Sequence, residues 1–380
     1  MYSLASYGAM ISDEVRIEAY AEALRRAVRS DSVVVDIGTG TGIFALIACQ
    51  NGARRVYALD SSEFVHLAAH TAAENGFADR MICLQAISTA VDLPEKADVV
   101  VSDICGQLPW VPGRMEAIDD ARRRLLAPGG VLIPNADRVW LALAQADKDY
   151  RRISSPWVER PFGLAMEAAT SAARNRVASL SGKQVDLLSE PVLVAAHNYS
   201  ELQKSDLDVD LRIEVTRVGT AHGFVLWFDI DLVEGVGFSS APGGNAEVYG
   251  QVFLPLAQPV KVQPGCRVMV RLRAFVRNNE YEWLWRTRFS GPGSSTIETQ
   301  FTQSSVLHPT PSMAVGGLAD RDYVPRPSPN SETDRVVLEK MDGKTSMGEL
   351  AHAVQKAFPD RYAEFDDALD LVRDVSGRYL

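Results

Sequence analysis

The sequence predicts a three-part protein: an open parallel α/β sheet, then an antiparallel β region, then a small helical end. Short apolar runs alternate with helical periods as far as residue 136, and β-type runs with few helices between them follow. After residue 308 a stretch rich in Pro, Ser and Gly leads into amphipathic helices. The 380 residues are too many for one small core, in keeping with several domains.

The first part begins with a helix over 12–29, capped by Ser12, with Ile17, Tyr20, Leu24, Ala27 and Val28 in helical period. Residues 32–42 read as a short buried strand running into a glycine-rich turn. Helix 43–53 follows, with Gly52 as its C-cap. Strand 55–62 ends in an acid, a helix runs to Asn75, and strands 81–86 and 97–103 come next. Helix 115–126 is stopped by APGG, and a fifth strand begins at Gly130. This alternation calls for a parallel sheet with helices on both faces.

Strands are expected at 139–145, 191–197, 210–218, 223–233, 246–256, 266–276 and 281–289, with a helix around 164–178, as a barrel or sandwich. At the end, 334–341 reads as a helix before the Asp342-Gly343 turn. Helix 346–358 carries a Ser346/Glu349 capping box, and 365–377 is amphipathic.

The net charge of −10 argues against tight binding to a phosphate backbone. Cys49, Cys83, Cys105 and Cys266 form no CxxC pair, so no metal site is expected, and Cys49 and Cys83 read as buried free thiols. Neither a signal peptide nor an 18-residue apolar run is seen, which makes the cytoplasm the expected location.

The chemistry concentrates at Asp36-Ile-Gly38-Thr-Gly40-Thr-Gly42. Glycines there let the backbone bend and approach a ligand, and the following helix offers free N–H groups and partial positive charge. Asp60 ends the next strand, placed to accept the two hydroxyls of a ribose. The GxGxG spacing is typical of class I methyltransferases, a Rossmann-like fold, and favours S-adenosyl-L-methionine over a dinucleotide. Ser102-Asp103 closes the fourth strand, where carboxyl ends face the ligand crevice.

Over roughly residues 5–290 the chain resembles the protein arginine methyltransferases. The segment Met10-Ile-Ser-Asp13-Glu-Val-Arg16 is similar to their helix that folds over the cofactor, and VVDIGTGTGIFALIACQNGARRVYALDSS is similar to their first two motifs. LAPGGVLIPNA resembles their crossing into the β-barrel. Trp157 and Pro161–Met166 resemble the entry to their dimerisation arm, and Phe224–Ile230 a barrel strand. The resemblance implies that Arg16 holds the methyl donor's carboxylate and that Met10 packs near its sulfur. Asp36, Gly38, Gly40, Asp60, Ser61, Ala86 and Ser102 complete the cofactor set.

The acceptor loop departs from the family, which clamps a guanidinium between two glutamates. Here the first falls on Asp103 and the second on Pro112, with Glu116 displaced by a helical turn. Asp103 and Glu116 are the candidate catalytic acids. The family's threonine-histidine-tryptophan loop is replaced at Val248-Tyr249-Gly-Gln251. One short acid compensates a buried planar cation poorly, so arginine is a doubtful acceptor.

Residues 334–351 are similar to the helical part of PqqD-like modules, which bind leader peptides in ribosomal natural-product pathways. The expected domains are a methyl-donor-binding domain at 1–135, a β-barrel at 136–312 with an arm near 160–185, and a linker with helical module at 313–380. Three functions stay open: a methyltransferase for a peptide or protein, such as a ribosomally made natural-product precursor; a small-molecule O- or N-methyltransferase; and a non-catalytic scaffold. The resemblance implies a homodimer through the arm near 160–185, and no nucleic-acid or membrane partner is expected.

Overall fold

The computed structural model describes residues 3–182, 185–201, 205–244, 248–277, 279–294, 296–306, 329–359, 361–362 and 364–379. The chain divides into two units, Met1–His308 and Pro309–Leu380.

The first unit opens with five parallel strands: β1 (Val33–Ile37), β2 (Arg55–Asp60), β3 (Met81–Gln85), β4 (Ala97–Ser102) and β5 (Leu126–Ile133). Their order is β3-β2-β1-β4-β5. Every residue of β1 is buried, as a central parallel strand covered on both faces must be. Val34 packs on one side with helices α2 (Glu14–Ala27), α3 (Ile43–Gln50) and α4 (Phe64–Glu74). Val33 and Val35 pack on the other, with Ala121 and Leu125. The register sets Ile37 beside Leu59 and Ser102, so the carboxyl ends of β1, β2 and β4 meet at one edge.

Two expectations for this part are corrected. The helix expected over 12–29 is α2, capped by Asp13 rather than Ser12, since Asp13 accepts the Arg16 N–H, and a separate helix α1 (Leu4–Ile11) precedes it. Ser12 instead ends α1. The helix expected over 115–126 is present as α5 (Arg114–Asp120) continued by a π turn over Ala121–Leu125, but it feeds straight into β5 instead of stopping at APGG. Residues 127–130 therefore lie within that strand, taken up by a shift of register between Ala97 and Val99.

Among the described residues eleven further strands run antiparallel. Strands β6 (Ala136–Gln145), β7 (Ala178–Ser179), β8 (Asp186–Leu187), β11 (Gly219–Val233) and β13 (Val252–Val262) form one sheet, which β9 (Val192–Asn198) and β12 (Val236–Ser239) join at its sides. Strands β10 (Leu207–Glu214), β14 (Arg267–Arg277), β15 (Glu280–Ser290) and β16 (Ile297–Ser304) form the other. Their facing sides share one core, in which Leu141, Phe224, Leu226 and Phe228 meet Leu211, Val270, Leu272 and Trp285. Helix α6 (Asp147–Val158) covers the outer side of β6 and β11, where Tyr150 packs with Ala142, Val225 and Phe253. Helix α7 (Glu167–Arg174) is shorter than the expected 164–178. The strand expected from 246 starts only at Val252, because Tyr249 and Gln251 turn inward to bond Asp103 and Ser240.

In the second unit, helices Pro329–Leu338, Met347–Ala357 and Phe365–Tyr379 share a core of Val337, Leu350, Ala351, Val354, Ala368, Val372 and Val375. Both bonds of the Ser346/Glu349 capping box form, and Asp342 accepts the N–H groups of Lys344 and Thr345 at the turn. The Pro/Ser/Gly-rich connection and the 312/313 boundary lie outside the described residues.

Candidate functional site

The β1–α3 turn is shaped from beneath by Asp36. Its Oδ2 accepts from Thr39 Oγ1 at 2.6 Å and from the Ala45 N–H at 3.1 Å, tying the loop to the first turn of α3. Burial pushes this carboxyl up to about 7 despite the two bonds. The structure thus gives those bonds of Asp36 to the loop itself.

Gly38 and Gly40 have φ of +74° and +54°, a region L side chains rarely adopt. A Cβ on Gly40 would collide with the ring of Tyr7, which α1 lays over the loop, and one on Gly38 would meet Ile104. Tyr7 in turn packs on Phe64, with ring centroids 4.8 Å apart. The bare backbone at the two glycines is what lets these side chains lie against the loop. Beside them Asp60 accepts the Gly40 N–H at 2.7 Å and the Ser62 N–H at 2.8 Å. Each carboxylate oxygen keeps a further lone pair for a hydroxyl. Ala86 lies next to it, its N–H donating to the Asp60 carbonyl; Ser61 is exposed beside the strand end.

Above the β4 end stands a buried ion pair. Arg16, from the first turn of α2, donates from Nε (2.7 Å) and Nη2 to Asp103 Oδ2. Its Nη1 donates to the Met10 carbonyl at 2.9 Å. The other oxygen, Oδ1, accepts from Tyr20 Oη at 2.8 Å and from Tyr249 Oη at 2.5 Å. Burial, then Asp103, raises both tyrosines well above their usual range. For Arg16 burial works downward, but Asp103 and Tyr249 outweigh it and hold the guanidinium charged. Ser102 Oγ is buried beside this pair and has no hydrogen-bond partner.

The structure therefore brings Met10, Arg16 and Asp103 together, and gathers Asp36, Gly38, Gly40 and Asp60 at the loop. It does not bring Glu116 to Asp103. Glu116 is exposed on α5, and its charge is felt by Tyr281 instead. Its neighbour Arg114 turns inward to Tyr199 and Asp137. Trp110 is buried edge-on to Trp283 and His197, part of the core.

Sequence reasoning missed Tyr7 and Tyr20 as site residues. Tyr20 could have been found, since it lies four residues after Arg16 on the same helical face. Tyr249 was placed only as part of the segment replacing the family's threonine-histidine-tryptophan loop, and its bond to Asp103 was not foreseen, because tertiary folding carries it there.

Known proteins are similar to this chain in sequence and in fold. A model of the arginine methyltransferase oligomerization subdomain matches residues 137–286, and one of ribosomal protein L11 methyltransferase matches residues 19–133. The probable protein arginine N-methyltransferase 6 of Arabidopsis thaliana is 32% identical over 247 residues, covering 62% of this chain and 55% of that protein. Protein arginine N-methyltransferase 2 of Homo sapiens is 32% identical over 274 residues, covering 67% and 63%. The chain thus spans less than two thirds of the length of these two relatives.

Two solved structures share the fold at a TM-score of 0.69. The Trypanosoma brucei PRMT1 enzyme–prozyme heterotetrameric complex with AdoHcy is 19% identical, covering 78% of this chain and 95% of that one. Arabidopsis thaliana protein arginine methyltransferase 10 is 21% identical, covering 80% and 98%. Sequence and fold together give the chain the class I methyltransferase fold, with a β domain of the arginine methyltransferase type.

Proposed function

We propose that this chain, a class I methyltransferase by fold, uses S-adenosyl-L-methionine to methylate a peptide or protein. The observation that carries the reading is the left-handed glycine turn at Gly38 and Gly40, bonded to Asp60 at the end of β2, with Arg16 buried against Asp103 at the end of β4. The methyl donor supplies an electrophilic methyl group on a sulfonium. Asp60 accepts its ribose hydroxyls, Arg16 faces its carboxylate, and the backbone at Gly38 and Gly40 admits it closely. Ser61, Ala86 and Ser102 line the same edge.

At the acceptor end the residues order a nucleophile rather than clamp a cation. Asp103 is already shared among Arg16, Tyr20 and Tyr249, and Pro112 provides no second charge. A guanidinium there would lack its pair of carboxylates. A hydroxyl, amine or amide needs only in-line placement, which Asp103 and the two tyrosine hydroxyls can enforce.

The peptide reading rests on the relatives' names and on the helical unit, whose pattern resembles leader-peptide modules. The acceptor is then a ribosomally made precursor, modified in the cytoplasm by a homodimer. The arm is its docking surface, with Phe162 fully exposed and Leu164 61% exposed.

Asp60→Ala is expected to weaken binding of the methyl donor by roughly 1–3 kcal/mol, the range for a hydrogen bond to a charged group. Calorimetry tests it, and wild-type affinity would remove the acid from the ribose. Deleting residues 316–380 should leave that affinity unchanged, because the cofactor site belongs to the first unit. It should sharply slow turnover of a full-length precursor, whose effective concentration at the site it would lower. Unchanged turnover after the deletion would leave the helical unit without a part in substrate capture.

A further inference from the structure

The outer side of the β10-β14-β15-β16 sheet collects cations in a protein whose net charge is −10. Cross-strand register orders its outward residues into rows. One row runs Arg212, Met269, Arg288, Gln300, and the next Asp210, Arg271, Arg286, Thr302. Arg271 and Arg286 stand directly opposite each other, a like-charge pair that costs stability. Asp208 takes Arg271 at 3.0 Å and Arg273 at 3.4 Å. Among the described residues no carboxylate pairs with Arg212, Arg286 or Arg288. Arg286 reaches only Thr302 Oγ1 at 3.4 Å, and Arg288 Nε is buried without a partner. Met269, 46% exposed, forms an apolar centre among them.

We propose that this face docks an acidic peptide segment in extended form. Side chains on one side of an extended chain repeat every second residue, the same period that separates Arg286 from Arg288 and Met269 from Arg271. Acidic residues at alternate positions pair with the uncompensated guanidinium groups, and an apolar residue covers Met269. Guanidinium forks bind carboxylates bidentately, and Gln300 and Thr302 offer neutral hydrogen bonds at the margin. A nucleic acid fits less well. Asp208, Asp210, Glu214 and Glu282 rim the face with negative charge, and Phe275, the aromatic ring on this side, is already faced by Arg273 at 5.9 Å.

The inference stands apart from methyl transfer, since a chain that methylated nothing would still bind. Fluorescence anisotropy of a labelled peptide of alternating Glu and Leu, titrated with the full chain, reads it directly. A peptide with Gln in place of Glu and a labelled oligodeoxythymidylate serve as the other arms. The Glu peptide should bind, the Gln peptide should not, and binding should weaken with salt. The double variant Arg212→Glu/Arg286→Glu, at two exposed outward positions, should bind about tenfold more weakly while its thermal melt and affinity for S-adenosyl-L-methionine stay as in wild type. Arg212→Gln/Arg286→Gln should show a smaller loss and serves if charge reversal impairs folding. Absence of binding by wild type, equal binding by the Gln variant, or tighter binding of the oligonucleotide would overturn the proposal.

Discussion

Replacing Arg114 with alanine should destabilise the protein by about 3–5 kcal/mol, the cost of removing one partner from a buried ion pair. The side chain is 2% exposed, its guanidinium 3.5 Å from Asp137 Oδ2 and 4.8 Å from the centre of the Tyr199 ring, whose hydroxyl it bonds. Asp137 opens the antiparallel part of the fold and is wholly buried, accepting from His197 Nδ1 at 2.7 Å and from Tyr199. Without Arg114 that carboxylate keeps the His197 and Tyr199 donors but loses its guanidinium. The melting temperature should fall by roughly 6–10 °C at about 2 °C per kcal/mol for a domain of this size. The double variant Arg114→Met/Asp137→Leu, which removes both charges, should recover much of the loss. A single variant within about 1 kcal/mol of wild type would mean that the pair is weakly coupled.

Arg16→Ala should act on stability and on cofactor binding together. Asp103 would lose its one cation while remaining mostly buried, with Tyr20 and Tyr249 left to satisfy it. A loss of about 3–5 kcal/mol is expected in chemical denaturation. If Arg16 also faces the methyl donor's carboxylate, calorimetry should show affinity reduced by about 1.5–3 kcal/mol. Arg16→Lys separates the two effects: it keeps charge but loses the forked geometry, so stability should recover further than affinity. Wild-type affinity in a folded Arg16→Ala variant would assign the residue to Asp103 alone.

Much of the architecture is readable because its signals are local. The buried valine run of β1, the glycine turn and the acid at the end of β2 follow one another within the chain, and so do the capping box and turn at Ser346 and Asp342. What escapes reading depends on long-range packing or on weak patterns. Helix α6 hides because DKDYRR is charged and Pro156 lies inside the helix, so that Tyr150 is its one large anchor. Strand β16 is mostly polar, as an edge strand can be. At the site, Asp103 was legible from its place after β4. Its commitment to Arg16 and two tyrosines was not, because those partners come from α2 and from the loop before β13.

The pairing of β6 with β11 has a kinetic consequence. Asp137 meets Ile230 and Ala144 meets Gly223, so the central ladder closes only after a long intervening segment has been made. Loop-closure entropy must be met before such a ladder gains anything, and rates fall as contacts become less local. The apolar edge of β6 therefore waits unpaired on a growing chain until β11 emerges, which makes this interval the one most open to aggregation. The helices Pro329–Leu338, Met347–Ala357 and Phe365–Tyr379, whose contacts join elements close in sequence, can form at the speed of helix docking.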